Sequence, residues 1–557
     1  MKSFITKILF LSLLLGTMLS CNKDEFLKEE PLDFLSPDNA LDNVSDFESA
    51  LVDLYAKKRE MDYSVSDESF SLLFGTDILT HARGISDLTA PKFSSLVVSL
   101  TPTGLVPAYY WERNFKIVSG ANVIISRMPA SKLTDAEKLL IGAEAKFFRA
   151  IAYRELVYLF GNVPLITEEI TSVRNDLTQA TKQQVLEQMV ADFKDGATNL
   201  PAINKVKDGK VSNIVASHYL AETYIALGKY DEAVTAATTV ISDPNVALMK
   251  ARYGKRTSVA GKDVFWDLFQ RGNVNRAGGN KEALWVCQME EDVPGGGLAS
   301  TKKTINYLER FHVPNVYGLT DTKGKAGFQG PKSNDNVGGR GVAFLRGTKL
   351  LEVDVWPAGY TGDMRCNDNN FIKDAIYDNP ASVDFGKSVR ANPGVNWKAQ
   401  DWRFYSWFIK ATTPGDHPTN MLLSNGLLNG DAGGTQRDMY YLRLSESYLL
   451  RAEAYLGKGS KDLAAADINE VRGRALATPV AAADVTLDYI LDERARELAL
   501  EEQRSITLRR VGKYVERVIK YNPLTGASAL PQHELWPIPL KDIEANINGH
   551  LVQNTGY

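Results

Sequence analysis

The chain has 557 residues, 44% hydrophobic and 24% charged, which is enough apolar content for a large packed core and excludes a disordered chain. With 64 Lys and Arg against 68 Asp and Glu the net charge is −4, and no basic stripe is available to displace the counterions of a nucleic acid. Three cysteines are too few for a disulfide framework, and Cys287, inside the apolar run ALWVCQM, reads as an inert core residue.

At the N-terminus, Lys2 and Lys7 precede an apolar run from Ile8 to Leu15, followed by small or apolar residues to Ser20 and Cys21. The run falls short of the roughly 18 apolar residues that span a bilayer, so residues 1–20 are expected to be a removable secretion signal. The segment resembles a bacterial lipoprotein signal, which implies Cys21 as the lipidated first mature residue; ordinary cleavage leaving Cys21 unmodified is the alternative. The polar, acidic start Asn22 to Glu25 resembles the surface-export signals of some Gram-negative lipoproteins.

Leu41, Val44, Phe47, Leu51, Leu54 and Tyr55 repeat at helical spacing and predict an opening helix. Residues 72–110 lose that period and carry Pro, Gly, Ser and Thr, which predicts an ordered loop with Asp77, His81 and Arg83 near its start. Helices are expected to resume at Trp111, where Trp111, Phe115, Val118 and Asn122 share a face. Thr134 with Glu137, and Thr181 with Gln184, form capping boxes that start two more helices, the first ending at Gly161.

Two later stretches read as helical hairpins, Ile214–Ile241 and Arg437–Ala475. Ala221, Tyr224, Gly228 and Ala233 in the first have the spacing of Ala452, Tyr455, Gly459 and Ala464 in the second. These offsets resemble the tetratricopeptide repeat, a two-helix unit of about 34 residues in which small residues let helix axes approach. Between the hairpins, residues 243–436 are rich in Gly and aromatic rings, with VFWDLFQ and ALWVCQME alternating like short strands. After them, Leu487 to Tyr514 predicts a closing helix with a solvated charged face.

The tail from Trp536 to Tyr557 closely resembles the end of SusD/RagB proteins through Pro537-Ile538-Pro539, Asp542, Asn546, Leu551, Gln553-Asn554 and Gly556-Tyr557. Glu493-Arg494, Arg496-Glu497-Leu498, Arg451 to Ala454 and FGNVPL at 160–165 agree with it. One departure is Leu500 to Arg504, where the family usually shows Phe-Glu-Gly-x-Arg; continuous helix is expected there instead of a glycine turn. The resemblance implies a mainly α fold in a single domain over 21–557. A tetratricopeptide-like scaffold would occupy about 40–242 and 437–520, with a loop-rich, partly stranded excursion at about 243–436. It also implies a lipid-anchored outer-membrane protein that binds an oligosaccharide, or in some members a peptide, beside a SusC-like TonB-dependent transporter.

Sugar recognition needs flat rings for pyranose faces and planar polar groups for hydroxyls. The family's starch-binding member implies one candidate set, Trp111 and Asn114 with Asp77 and Arg83 from the preceding loop; Trp356, Tyr360 and Arg365 form a second. The carboxylate pairs Glu501-Glu502 and Asp354 with Asp363 are the nearest approach to an acid-base couple. There is no HExxH, GxSxG or phosphate-binding loop, and the six scattered His suggest no metal cluster. No catalysis, cofactor or metal is therefore expected, and Asn367 to Asn370 reads as a polar turn before a calcium loop. A repeat scaffold that binds only other proteins is the alternative from another class; it would need no long ring-rich loops.

Overall fold

A computed structural model describes residues 41–63, 67–83, 96–289, 306–356, 362–430, 432, 434 and 437–557. The signal segment, Cys21 and Tyr360 lie outside them. The opening apolar period is a helix face: Phe47, Leu51, Leu54 and Met61 of α1 (Val44–Tyr63) are buried. Strand β1 (Leu79–His81) follows. Helix α2 (Leu105–Arg127) begins six residues before Trp111, inside the stretch expected to be loop. Pro107 suggested a loop, but a proline in the first turn of a helix breaks no intrahelical hydrogen bond.

The capping boxes start α3 (Asp135–Phe160) and α4 (Lys182–Asn199). At the first, the Glu137 amide donates to Thr134 Oγ1 at 3.3 Å and the Thr134 amide donates to Glu137 Oε2 at 2.8 Å. Gly161 ends α3 at φ 76°, a backbone angle that favours glycine.

The hairpins are α5 (Asn213–Ala226) with α6 (Tyr230–Ile241), and α7 (Leu444–Gly457) with α8 (Lys461–Arg474). Ala221, Ala233, Ala452 and Ala464 have no exposed surface, and Gly228 and Gly459 turn at φ 71° and 79°. The hairpins also touch each other: a Cβ on Gly457 would come within 2.4 Å of the Tyr230 ring. This close approach of small residues is what the four shared offsets encode.

Residues 439–443, expected to be helix, instead form β4 (Met439–Arg443), which pairs antiparallel with β2 (Ala283–Cys287) with Val286 opposite Tyr440 and Cys287 opposite Met439. Tyr440 and Tyr441 favour a pleated surface, and the helical period starts only at Leu444. VFWDLFQ is a helical turn at Val264–Asp267, because Asp263 caps it by accepting the Trp266 amide at 2.9 Å. Cys287 is buried, which pushes its thiol up to about 12 and leaves it unreactive.

Two expectations for the closing segment fail. The chain breaks between α9 (Leu487–Leu498) and α10 (Arg504–Arg510), with Leu500 itself at φ 67°. The turn survives without its glycine because it carries Glu501 and Glu502 inward to buried cations. Nor is the charged face of α9 solvated, since Glu493, Arg494, Arg496 and Glu497 are all buried. Opposite charges cancel across it, a pattern that periodicity alone does not distinguish from a surface helix. Helix α11 (Tyr514–Tyr521) follows.

The main core runs from Phe47 to Ile538, and a second cluster around Trp266, Tyr377 and Trp407 supports the loop-rich stretch. The tail motif locks onto this body. Asn554 donates to the carbonyls of Phe160 and Trp536 at 2.9 and 2.7 Å, and Asn546 brackets the backbone of Leu177 with two bonds of 2.8 Å. Strand β3 (Leu345–Gly347) runs antiparallel to β1, with Leu79 opposite Gly347 and His81 opposite Leu345.

Candidate binding site

Of the first predicted set, Asp77 is fully buried and receives Arg504 through two bonds of 2.9 and 2.7 Å and Arg517 at 2.7 Å. Burial alone would raise its carboxyl, but the two guanidiniums overcome that and hold it below the usual carboxylate range. Asn114 is equally buried, donating to the Tyr110 carbonyl at 2.9 Å and to Glu155 Oε2 at 3.1 Å. Glu155 in turn pairs with Lys58 at 2.6 Å. Trp111 is 4% exposed, edge-on to Phe160 with centroids 5.0 Å apart and tilted against Phe115 at 4.9 Å. The structure does not bring this set together: each of the three has a separate partner inside the scaffold.

The second set behaves the same way. Trp356 is 8% exposed, with its indole N–H donated to the Leu351 carbonyl at 2.9 Å. Arg365 has no exposed surface and contacts Asp363 at 2.7 Å, Glu493 at 2.8 Å and Glu497 at 3.1 Å. Arg443 extends this buried network to Glu282 at 2.5 Å and Glu501 at 2.6 Å.

Among the described residues, Arg83 is the predicted one that reaches a surface. Its guanidinium lies 4.8 Å from the Phe344 ring and 4.4 Å from the Trp402 ring, and Arg403 covers Trp402 at 4.4 Å. Pairing of β1 with β3 sets this stack: it continues past the strands through the Ala82 amide, which donates to the Phe344 carbonyl at 2.9 Å, and Arg83 follows directly. Arg83 donates to the Val342 carbonyl and Arg403 to Asn315 Oδ1, at 2.7 and 2.9 Å. Arg83, Phe344, Trp402, Arg403 and Tyr317 are all half-buried. Arg403 is held below its ordinary value by partial burial and then by the charge of Arg83, while Tyr317 acts on it in the opposite sense. The sequence reading missed Arg403 and counted Trp402 only among the rings of the excursion; the adjacent Trp-Arg in a polar turn was the available signal.

The carboxylate pairs are engaged elsewhere. Glu501 contacts Lys410 at 2.7 Å as well as Arg443, and Glu502 contacts Arg494 at 2.6 Å and Arg504 at 2.9 Å. Asp354 pairs with Lys349. Asn367 to Asn370 close a turn on themselves: the Asn369 amide donates to Asn367 Oδ1 at 2.9 Å and Asn370 Nδ2 to the Met364 carbonyl at 2.7 Å. A separate open cavity of about 370 Å³ lies between α2 and the C-terminal tail, with Trp111 and Phe115 in its wall.

Residues 408–557 match the model of the SusD family, and residues 33–225 match a related model described as starch-binding associating with outer membrane. A curated relative, SusD-like protein P2 of Formosa agariphila, is 25% identical over 99% of both chains. The chain belongs to the SusD/RagB family. Two solved structures share the fold: a laminarin-binding SusD-like protein, 23% identical, covering 93% of this chain and 100% of its own with a TM-score of 0.67, and surface glycan-binding protein A from Bacteroides thetaiotaomicron in complex with laminarihexaose, 19% identical, covering 92% and 99% with a TM-score of 0.65. The features that mark the SusD/RagB family here, the tail clamps and the α9 ion pairs, hold the fold. Trp402, Arg403 and Tyr317 fall between the two matched stretches.

Proposed function

We propose that the protein is a surface lipoprotein of the outer membrane, tethered through Cys21, that binds an oligosaccharide and passes it to a SusC-like TonB-dependent transporter. The observation that carries this reading is the half-exposed Arg83–Trp402–Arg403 stack on the loop-rich side of a SusD/RagB chain. Planar guanidiniums donate to vicinal hydroxyls, and the surrounding rings supply apolar contact for pyranose faces. Laminarin oligosaccharides are the first candidates, because two proteins of the same fold are named for binding them. The ligand leaves unchanged; engagement of Glu501, Glu502 and Asp363 in ion pairs supports that reading.

Calorimetry of the lipid-free protein against laminarihexaose, maltohexaose and a peptide pool tests it. Binding should be micromolar to millimolar, about −8 to −4 kcal/mol, because a shallow wet site gains little over the cost of ordering a flexible ligand. Tight binding of a peptide with no heat from any glycan would move the protein to the peptide-binding members. Turnover of a glycan would end the non-enzyme reading. Fractionation of Cys21→Ala tests the tether: the variant should leave the membrane pellet, since multiple acyl chains at about 0.8 kcal/mol per buried CH₂ are what hold it there.

A further inference from the structure

Arg403 is gripped on one edge by neutral acceptors. Its Nε donates to Gln400 Oε1 at 2.6 Å and its Nη1 to Asn315 Oδ1 at 2.9 Å, with the Gly318 carbonyl 3.5 Å from the same nitrogen. The grip needs a glycine at 318, since a Cβ there would come within 2.6 Å of Nη1 and 2.0 Å of Asn315 Oδ1. Nη2 makes no hydrogen bond to the described residues and keeps access to solvent. A guanidinium fixed on its Nε–Nη1 edge can donate from Nη2 with little further loss of side-chain freedom.

Among the described residues, no carboxylate pairs with this cation. Asp401, two positions before it, goes instead to Arg346 at 3.0 Å, and Arg346 also meets Glu352 at 3.3 Å. The charge that bears on Arg403 is the like charge of Arg83, which with partial burial disfavours its protonated form. A half-buried cation beside a second cation is relieved when an anion approaches. The whole chain carries −4, so attraction of an anion has to come from a local arrangement such as this one.

We propose that the Arg83–Trp402–Arg403 stack takes an acidic oligosaccharide, with a sulfate ester or a uronate carboxylate on Arg403 Nη2 and a sugar face beside Trp402. This rests on the glycan-binding reading of the same stack and narrows it to anionic glycans. A hydrogen bond to an oxyanion is roughly twice as strong as one to a neutral hydroxyl, which would accept from Nη2 but leave the charge unbalanced.

The experiment is calorimetry of the intact protein at about 50 mM salt with laminarihexaose, laminarihexaose carrying sulfate esters, and hexagalacturonate. At least one anionic hexamer should bind about ten-fold tighter than laminarihexaose, and the tighter of the two names the anion. Raising the salt to about 500 mM should weaken the anionic ligand and leave the neutral one unchanged. Arg403→Gln should weaken both kinds of ligand and bring their affinities within about two-fold of each other, with the melting temperature as a check on folding. Neutral and anionic hexamers of equal affinity, or a preference that survives Arg403→Gln, would overturn the proposal while leaving the glycan reading intact. No heat from any of the three would overturn both.

Discussion

Asp77 and Arg504 stand 427 positions apart in sequence and meet through two hydrogen bonds of 2.9 and 2.7 Å with no exposed surface on Asp77. Arg517 closes on the same carboxylate at 2.7 Å. The pair thereby ties the loop after α1 to α10 and α11. Asp77→Ala would leave two buried guanidiniums short of their counter-charge, so it should destabilise the protein by about 3–5 kcal/mol in urea unfolding. Glycan affinity per folded molecule should not change. Lost affinity with unaltered stability would return Asp77 to the binding site.

Acid should unfold the protein in a particular way. His218 and His312 are pushed down by burial, to about 3 and about 4, so they favour the folded state above 6.5 and lose that contribution as pH falls. Asp62 and Asp438 are pushed up by burial to about 6; they disfavour folding at neutral pH and cease to do so as they protonate. These two effects oppose each other between pH 6.5 and 4. For Glu222 and Glu493, burial is overcome by Arg154 and Arg365, which hold both at about 2. Their stabilisation is present above an ordinary value of 4.5 and disappears as pH drops toward 2. Melting temperature should therefore be nearly flat from pH 7 to about 5 and fall steeply below about 4. A steady decline beginning at pH 6.5 would mean the aspartates do not offset the histidines.

The repeat scaffold was legible because small residues leave a periodic trace: Ala221, Gly228 and Ala233 share their spacing with Ala452, Gly459 and Ala464. The capping boxes of α3 and α4 were legible for the same reason, being local. The site was not. Asp77, Asn114 and Arg365 have the chemistry of ligand contacts, yet their partners, Arg504, Glu155 and Glu493, lie 427, 41 and 128 positions away. A buried ion pair and a surface site use the same residue types, and only tertiary pairing separates them. Arg83 meets Trp402 through strands β1 and β3, each three residues long and too short to announce themselves.

The hairpin contact offers a clean stability test. Ala452 packs without exposed surface in one cluster with Ala464, Ile468 and Ile490. Ala452→Trp must push α7 and α8 apart and should cost about 1–3 kcal/mol or more. Calorimetric affinity for glycan should stay within error once corrected for folded fraction. Equal melting temperatures of parent and variant would remove Ala452 from the helix contact.

Two tryptophans separate binding from packing. Trp402 is half-buried, with the guanidiniums of Arg83 and Arg403 each 4.4 Å from its ring, and its contact helps hold both. Trp402→Ala would release them and remove an apolar contact, so glycan affinity should fall by about 1–2 kcal/mol, roughly five- to thirty-fold. Stability should fall only modestly, because the ring is half-exposed and packs at the edge of a small cluster of Ala82, Ala343 and Tyr405. Trp111 is the opposite case: at 4% exposure between Phe115 and Phe160 it belongs to the core, and Trp111→Ala should cost about 3–5 kcal/mol of folding stability. Its glycan affinity per folded molecule should match the parent. If Trp111→Ala weakens laminarihexaose and Trp402→Ala does not, the glycan sits at α2 and the surface stack is structural.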